Sequence, residues 1–133
     1  MKQKRLLTLL IGALLLILCM ASASAQEVIP YAHAGNSASI SFNITDGVVS
    51  ASGRCTSVNP NNTTKVTVYI QRLSGSDWVN IKSASSSDGF YAAKATYTAT
   101  KGTTYRGKTV GKVYDSSGNL VDTLTIISNS KTY

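Results

Sequence analysis

Very little of this chain is equipped for chemistry. Its 133 residues include one histidine, one tryptophan, two cysteines and six acidic residues. The histidine, His33, lies in QEVIPYAHAGN (26–36), a segment without hydrophobic period that is expected to be a flexible lead-in. A Ser-His-Asp or Cys-His catalyst needs a base held in place by its neighbours, and such a segment holds nothing in place. One histidine and two cysteines also fall short of the ligand number and spacing of a zinc site. Among the acids, Asp46, Asp77, Asp88 and Asp115 sit in turn sequences, where aspartate caps its own backbone. Glu27 belongs to the lead-in. Nothing argues for two carboxyls flanking one glycosidic bond, and no stretch alternates carboxylates with glycine as a calcium loop does. GTTYRG (102–107) and SSDG (86–89) contain glycine but lack the lysine and following helix of a phosphate loop. The expectation is a protein that is not an enzyme and uses no cofactor or metal.

The chain begins MKQKRLLTLLIGALLLILCMASASAQE. Lys2, Lys4 and Arg5 precede an apolar run from Leu6 to Met20, and Ala23-Ser24-Ala25 offers a small-residue cleavage site before Gln26. This pattern predicts a secretory signal peptide over 1–25 rather than a membrane anchor, because the apolar run is short and small residues follow it. Lipoprotein processing at Cys19 is rejected, since Leu18 stands where that chemistry wants a small residue. Cleavage leaves Cys55 as the one cysteine, so the exported domain must be held together by burial, without an internal disulfide. Its thiol is either a small buried apolar group or pairs with another chain. The missing disulfide framework favours a bacterial product. With no second apolar span or sorting signal, the domain is expected to be released, extracellular and without stable membrane insertion.

Three of the 13 basic residues belong to the leader; the remainder, set against six acids, gives a mature charge of about +4. The lysines Lys65, Lys82, Lys94, Lys101, Lys108, Lys112 and Lys131 are scattered singly. No basic run tracks a phosphate backbone, so a nucleic-acid partner is not expected.

What the sequence does have is alternation. Serine, threonine, valine, isoleucine and tyrosine dominate residues 37–133, with turn residues recurring every eight to twelve positions. This predicts one domain, a sandwich or barrel of about seven short antiparallel strands. In SASISFNIT (37–45), Ile40, Phe42 and Ile44 alternate with polar residues. Asp46-Gly47 then suits a tight turn with positive φ at both central positions, and VVSASGRC (48–55) returns. KVTVYIQRL (65–73) and the segment from Trp78 form a hairpin about Ser74-Gly75-Ser76-Asp77. Its predicted register sets Leu73 opposite Trp78, Arg72 opposite Val79 and Ile70 opposite Ile81. One face then carries Val66, Val68, Ile70, Val79 and Ile81, a core face, and the other Tyr69, Gln71, Leu73, Trp78, Asn80 and Lys82. KSASSSDG (82–89) is expected to be a flexible loop. FYAAKATYTA (90–99) places Tyr91, Ala93, Ala95 and Tyr97 on one face. TTYRGKTVGKVY (103–114) and LVDTLTII (120–127) make a last hairpin with Lys112 opposite Asp122. Alternation does not decide which face of that hairpin is buried.

Ala99, Gly102 and Tyr105 in ATKGTTYRG resemble the tyrosine corner of immunoglobulin-like sandwiches. That resemblance implies that the Tyr105 hydroxyl bonds back to the chain a few residues upstream. Gly107 stands where that family's second disulfide cysteine would be, and residues 65–73 lack its core tryptophan. An immunoglobulin-like or fibronectin-III-like sandwich without the antibody signature is therefore implied. Over nearly all of residues 26–133, the order SISFNITDGVVSASGRC, TKVTVYIQRLSGSDWVNIKS, KGTTYR and KVYDSSGNLVDT is similar to a group of small exported proteins from Gram-positive anaerobes. The group has no established function, so the resemblance implies export and a compact β-domain and transfers no site residue.

The remaining candidate surface is the outward face of the 65–83 hairpin: Tyr69, Gln71, Leu73, Trp78, Asn80 and Lys82. Apolar patches of this kind mark interaction sites, and these residues would suit a sugar ring or a protein partner. Cross-strand aromatic and aliphatic pairs also stabilise hairpins by about 0.2–1 kcal/mol each with no ligand at all, and both readings stand. The functional expectation is surface contact with an extracellular protein or glycan. The alternatives are a carbohydrate-binding module and a secreted toxin or inhibitor.

Overall fold

The structure is a computed structural model that describes residues 35–87 and 92–133. The expected signal peptide, most of the lead-in with Glu27 and His33, and the positions of Asp88 and Tyr91 lie outside the described residues. Alternation builds strands throughout: β1 (Ser37–Thr45), β2 (Val48–Thr56), β3 (Thr63–Ser74), β4 (Asp77–Ser86), β5 (Ala93–Thr98), β6 (Thr104–Tyr114), β7 (Leu120–Ile127) and a short β8 (Lys131–Thr132). They form two antiparallel sheets, one in the order β1-β2-β5 and the other β4-β3-β6-β7, with β8 also pairing β6. The chain changes sheets between β2 and β3, between β4 and β5, and between β5 and β6. An all-β sandwich is the result.

Turn chemistry sets the hairpins. Asp46 and Gly47 both take positive φ, 49° and 75°, and lock Thr45 opposite Val48. The two-residue period then buries Val49, Ala51 and Cys55 while Ser41, Asn43 and Thr45 stay exposed. On β5, Ala93 and Ala95 are buried and Tyr97 packs against the core, while Lys94, Thr96 and Thr98 face water. Between β6 and β7, Asp115 Oδ1 accepts the backbone N–H groups of Ser117 and Asn119 at 2.9 and 2.8 Å. The Asn119 side chain also donates to Asp115, and these bonds lower the Asp115 pKa. Asp115 is thus a turn-former, as its sequence context predicts. Asn36, the last residue of the expected lead-in, donates to Asp122 at 3.0 Å.

The buried face of β6 is unusual for a strand: Tyr105, Gly107, Thr109, Gly111 and Val113. Its glycines leave room for side chains of the opposite sheet. A Cβ on Gly107 would sit 2.7 Å from Ile40 Cδ1, and one on Gly111 would sit 2.5 Å from Cys55 Sγ and 2.7 Å from Cys55 Cβ. The relation reverses at Gly53 of β2, where an added Cβ would collide with the Thr109 side chain. Small residues on each sheet therefore receive larger ones from the other. Cys55 is fully buried as a small apolar residue, and burial first, then the charge of Asp122, raises its thiol pKa. Thr109 is fully buried as well, and its Oγ1 has no hydrogen-bond partner among the described residues. At the end of the core, Tyr105 is fully buried; its hydroxyl oxygen accepts the Thr100 N–H at 2.9 Å, across a turn in which Gly102 takes φ +77°.

The structure departs from the sequence reading in four places, two of them shifts of register. A bulge in β4 leaves Ile81 unpaired, so Ile70 faces Lys82 instead of Ile81. Val79, expected on the core face, is 43% exposed, because the core ends at Ile70 and the β3–β4 hairpin projects beyond it. The expected loop at 82–89 is instead strand as far as Ser86, with Ala84 opposite Val68 and packed on the core. A second bulge, at Val121, sets Lys112 opposite Thr123 and Asp122 opposite Val113, so Lys112 and Asp122 do not pair across the ladder. An inserted residue shifts every later partner by one, and a period of two does not reveal where it sits.

Two substitutions test this core. Gly111→Ala forces a Cβ into Cys55 and should lower unfolding stability by about 1–3 kcal/mol in chemical denaturation. Thr109→Val removes an unpaired buried hydroxyl at constant shape and should raise it by about 1 kcal/mol.

Candidate functional site

The sequence-predicted surface residues all belong to the hairpin β3–β4, and the structure separates them. Leu73 and Trp78 face each other, as do Gln71 and Asn80. Tyr69 shares their face, opposite Ser83 of β4 and Lys108 of β6. Lys82 is drawn off this face by the bulge, since it pairs with Ile70. Leu73 is 37% exposed and Tyr69 and Trp78 are half-buried, so the apolar patch is smaller than expected. Gln71 is only 6% exposed and is held between two neighbours. Its Nε2 donates to Asn80 Oδ1 at 2.8 Å, and its Oε1 accepts from Arg106 Nε at 2.8 Å.

Arg106 is the residue that sequence reasoning missed. It stands opposite Gln71 on β6, and its side chain crosses over β3 to reach β4. The guanidinium carbon lies 4.2 Å from the centroid of the Trp78 ring, a stacking distance that exploits both the ring quadrupole and the planar guanidinium. Burial lowers the Arg106 pKa, yet the group stays charged at neutral pH. Asn80, Gln71, Arg106 and Trp78 therefore form one connected cluster across three strands, joined by two hydrogen bonds and one stacking contact.

The cluster continues along the sheet. Burial of Tyr105, Gly107, Thr109, Gly111 and Val113 leaves the alternate positions Arg106, Lys108, Val110, Lys112 and Tyr114 facing outward. On β3 the outward positions include Lys65 and Thr67, and Lys65 stands directly opposite Lys112. Like charges in this arrangement disfavour a sheet by up to about 1 kcal/mol. The Lys65 Nζ is held 5.3 Å from the centroid of the Tyr114 ring. Of the described carboxylates, none occupies an outward position of this sheet. Asp77 and Asp122 alternate to the other side, and Asp46 and Asp115 lie in turns. The face thus carries Lys65, Arg106, Lys108 and Lys112 among three aromatic rings, with no acid among the described residues placed beside them. The signal for it was present in 104–114 as alternating basic residues. It was unreadable while the glycine-lined face could not be recognised as the inward one.

Among the described residues no group of three or more His, Cys, Asp or Glu could hold a metal ion, and no helix is long and apolar enough to cross a membrane.

Because Trp78 is the only tryptophan, its fluorescence reports this site alone. A half-buried ring under the Arg106 guanidinium should be quenched more strongly by iodide than by caesium, since the local cation concentrates the anion. Arg106→Ala should narrow that difference; a blue-shifted emission that neither ion quenches would place the ring in a core.

Compared with known proteins, the chain matches no protein-family model, no curated protein and no solved structure.

Proposed function

We propose that this is an exported, non-catalytic sandwich of immunoglobulin-like or fibronectin-III-like type that acts by binding an extracellular macromolecule. Its contact surface is the outward face of β4-β3-β6, centred on Trp78. The strand order β1-β2-β5 against β4-β3-β6-β7 and the Tyr105 hydroxyl bond support the fold reading. The charged, apolar and small-residue succession at the start of the chain supports export. The scarcity of chemistry-bearing residues supports a binding role over a catalytic one.

The observation that carries the contact reading is the cluster of Trp78, Arg106, Gln71 and Asn80. It lies outside the core, yet its side chains are fixed before any partner arrives. Such pre-ordering removes part of the entropy that binding would otherwise cost, and tryptophan, tyrosine and arginine are the side chains that dominate interface energetics.

The test uses residues 26–133 on arrays of immobilised glycans and extracellular proteins, in parallel with Trp78→Ala and Arg106→Ala. Binding to a defined probe should weaken by at least about tenfold in both variants. Trp78→Ala should melt close to the unsubstituted domain, and Arg106→Ala, which leaves the buried Gln71 Oε1 without its donor, should melt lower but stay folded at the assay temperature. Binding that both substitutions leave unchanged would remove the surface from consideration.

A further inference from the structure

Resting on that contact reading, we propose that the outward face of the second sheet binds a linear acidic polysaccharide, one carrying carboxylate or sulfate groups.

The first argument is charge. Lys65, Arg106, Lys108 and Lys112 share the face, and no described carboxylate occupies an outward position beside them. Lys65 opposite Lys112 is an arrangement that costs stability in the free protein. An anion bound beside the two lysines relieves that repulsion, so the unliganded fold already favours such a ligand.

The second argument is shape. Arg106, Lys108 and Lys112 lie along a single strand, and at about 3.4 Å per residue their row extends about 20 Å. A sheet face with cations in a row matches an extended polymer better than a small anion. Lysine is also depleted in protein–protein interfaces, which turns the choice away from a protein partner.

The third argument is the state of the rings. The Trp78 ring is stacked by Arg106 and the Tyr114 ring by Lys65. Binding of single-stranded nucleic acid relies on open aromatic faces for its bases, and here these rings are already engaged by the protein's own cations. What the face offers instead is charge interspersed with hydroxyls. Thr67 bonds Ser85 across β3 and β4 at 2.8 Å, and Thr123 and Thr125 continue the outward row on β7. A polymer of acidic sugars presents carboxylate or sulfate groups to the cations and hydroxyls to the threonines.

The experiment measures affinity of the processed domain for heparin, polygalacturonate, neutral dextran and oligo(dT), at low and at physiological salt. The unsubstituted domain, Lys65→Gln/Lys112→Gln, Lys108→Gln and Trp78→Ala are compared. The inference expects binding to heparin or polygalacturonate that weakens steeply with salt. It also expects at least about a tenfold loss in the double lysine variant, which should melt close to the parent because the repulsive pair and the Lys65–Tyr114 contact are removed together. Lys108→Gln, which leaves that pair in place, provides an independent loss. No binding to either acidic glycan at low salt overturns the inference, as does tighter binding to oligo(dT), or affinity unchanged in both lysine variants. Dextran or array binding that is salt-insensitive and lost only in Trp78→Ala also overturns it, while leaving the proposed contact function standing. Acidic-glycan binding that depends on the lysines but not on Trp78 keeps the inference and moves the centre of the site.

Discussion

The close approach of the two sheets along β6 is the constraint on which the molecule depends. Without a disulfide between its sheets, the domain relies on burial, and its buried face of β6 contains two glycines and a threonine among five residues. That composition supplies little hydrophobic area of its own. What it supplies is space, into which Ile40 and Cys55 enter from the first sheet, while Gly53 receives Thr109 in return. Interiors of this kind are stable because contacts are dense, not because side chains are large. The cysteine belongs to this scheme as a small polarizable filler.

The same strand determines the outer surface. Once Tyr105, Gly107, Thr109, Gly111 and Val113 are committed to the interior, Arg106, Lys108, Lys112 and Tyr114 have no alternative to the opposite face. β3 pairs with β6 although 35 residues separate Gln71 from Arg106, and this pairing sets Lys65 against Lys112 and Gln71 against Arg106. A core built on small residues and a surface built on unneutralised cations are two consequences of one alternation.

Local chemistry was the legible part. Asp46-Gly47 can form few structures other than a tight turn with positive φ, and the structure has that turn. Ala93, Ala95 and Tyr97 follow their period inward. The Tyr105 hydroxyl finds Thr100 five residues upstream, because the turn geometry encoded by Gly102 brings it there. The pairing of Leu73 with Trp78 was also readable, since a short turn fixes the first rungs of a hairpin. The next rungs were not. One inserted residue at Ile81 and another at Val121 moved Lys82 out of the predicted surface set and parted Lys112 from Asp122. A bulge carries no hydropathy signature, and its position depends on how the strand must bend to follow its neighbours.

The amino-acid sequence by itself determined the class of this protein: short strands, tight turns and a core without cross-links, because two-residue alternation and turn residues act over a few positions and need no tertiary information. Which face of β6 is buried, where the ladders bulge, and that scattered lysines converge with Arg106 and Trp78 on one sheet were decided only by the tertiary structure. Those outcomes rest on contacts between strands distant in sequence. Glycine in particular reveals its role there, since an absent side chain has meaning only beside the group that fills its place.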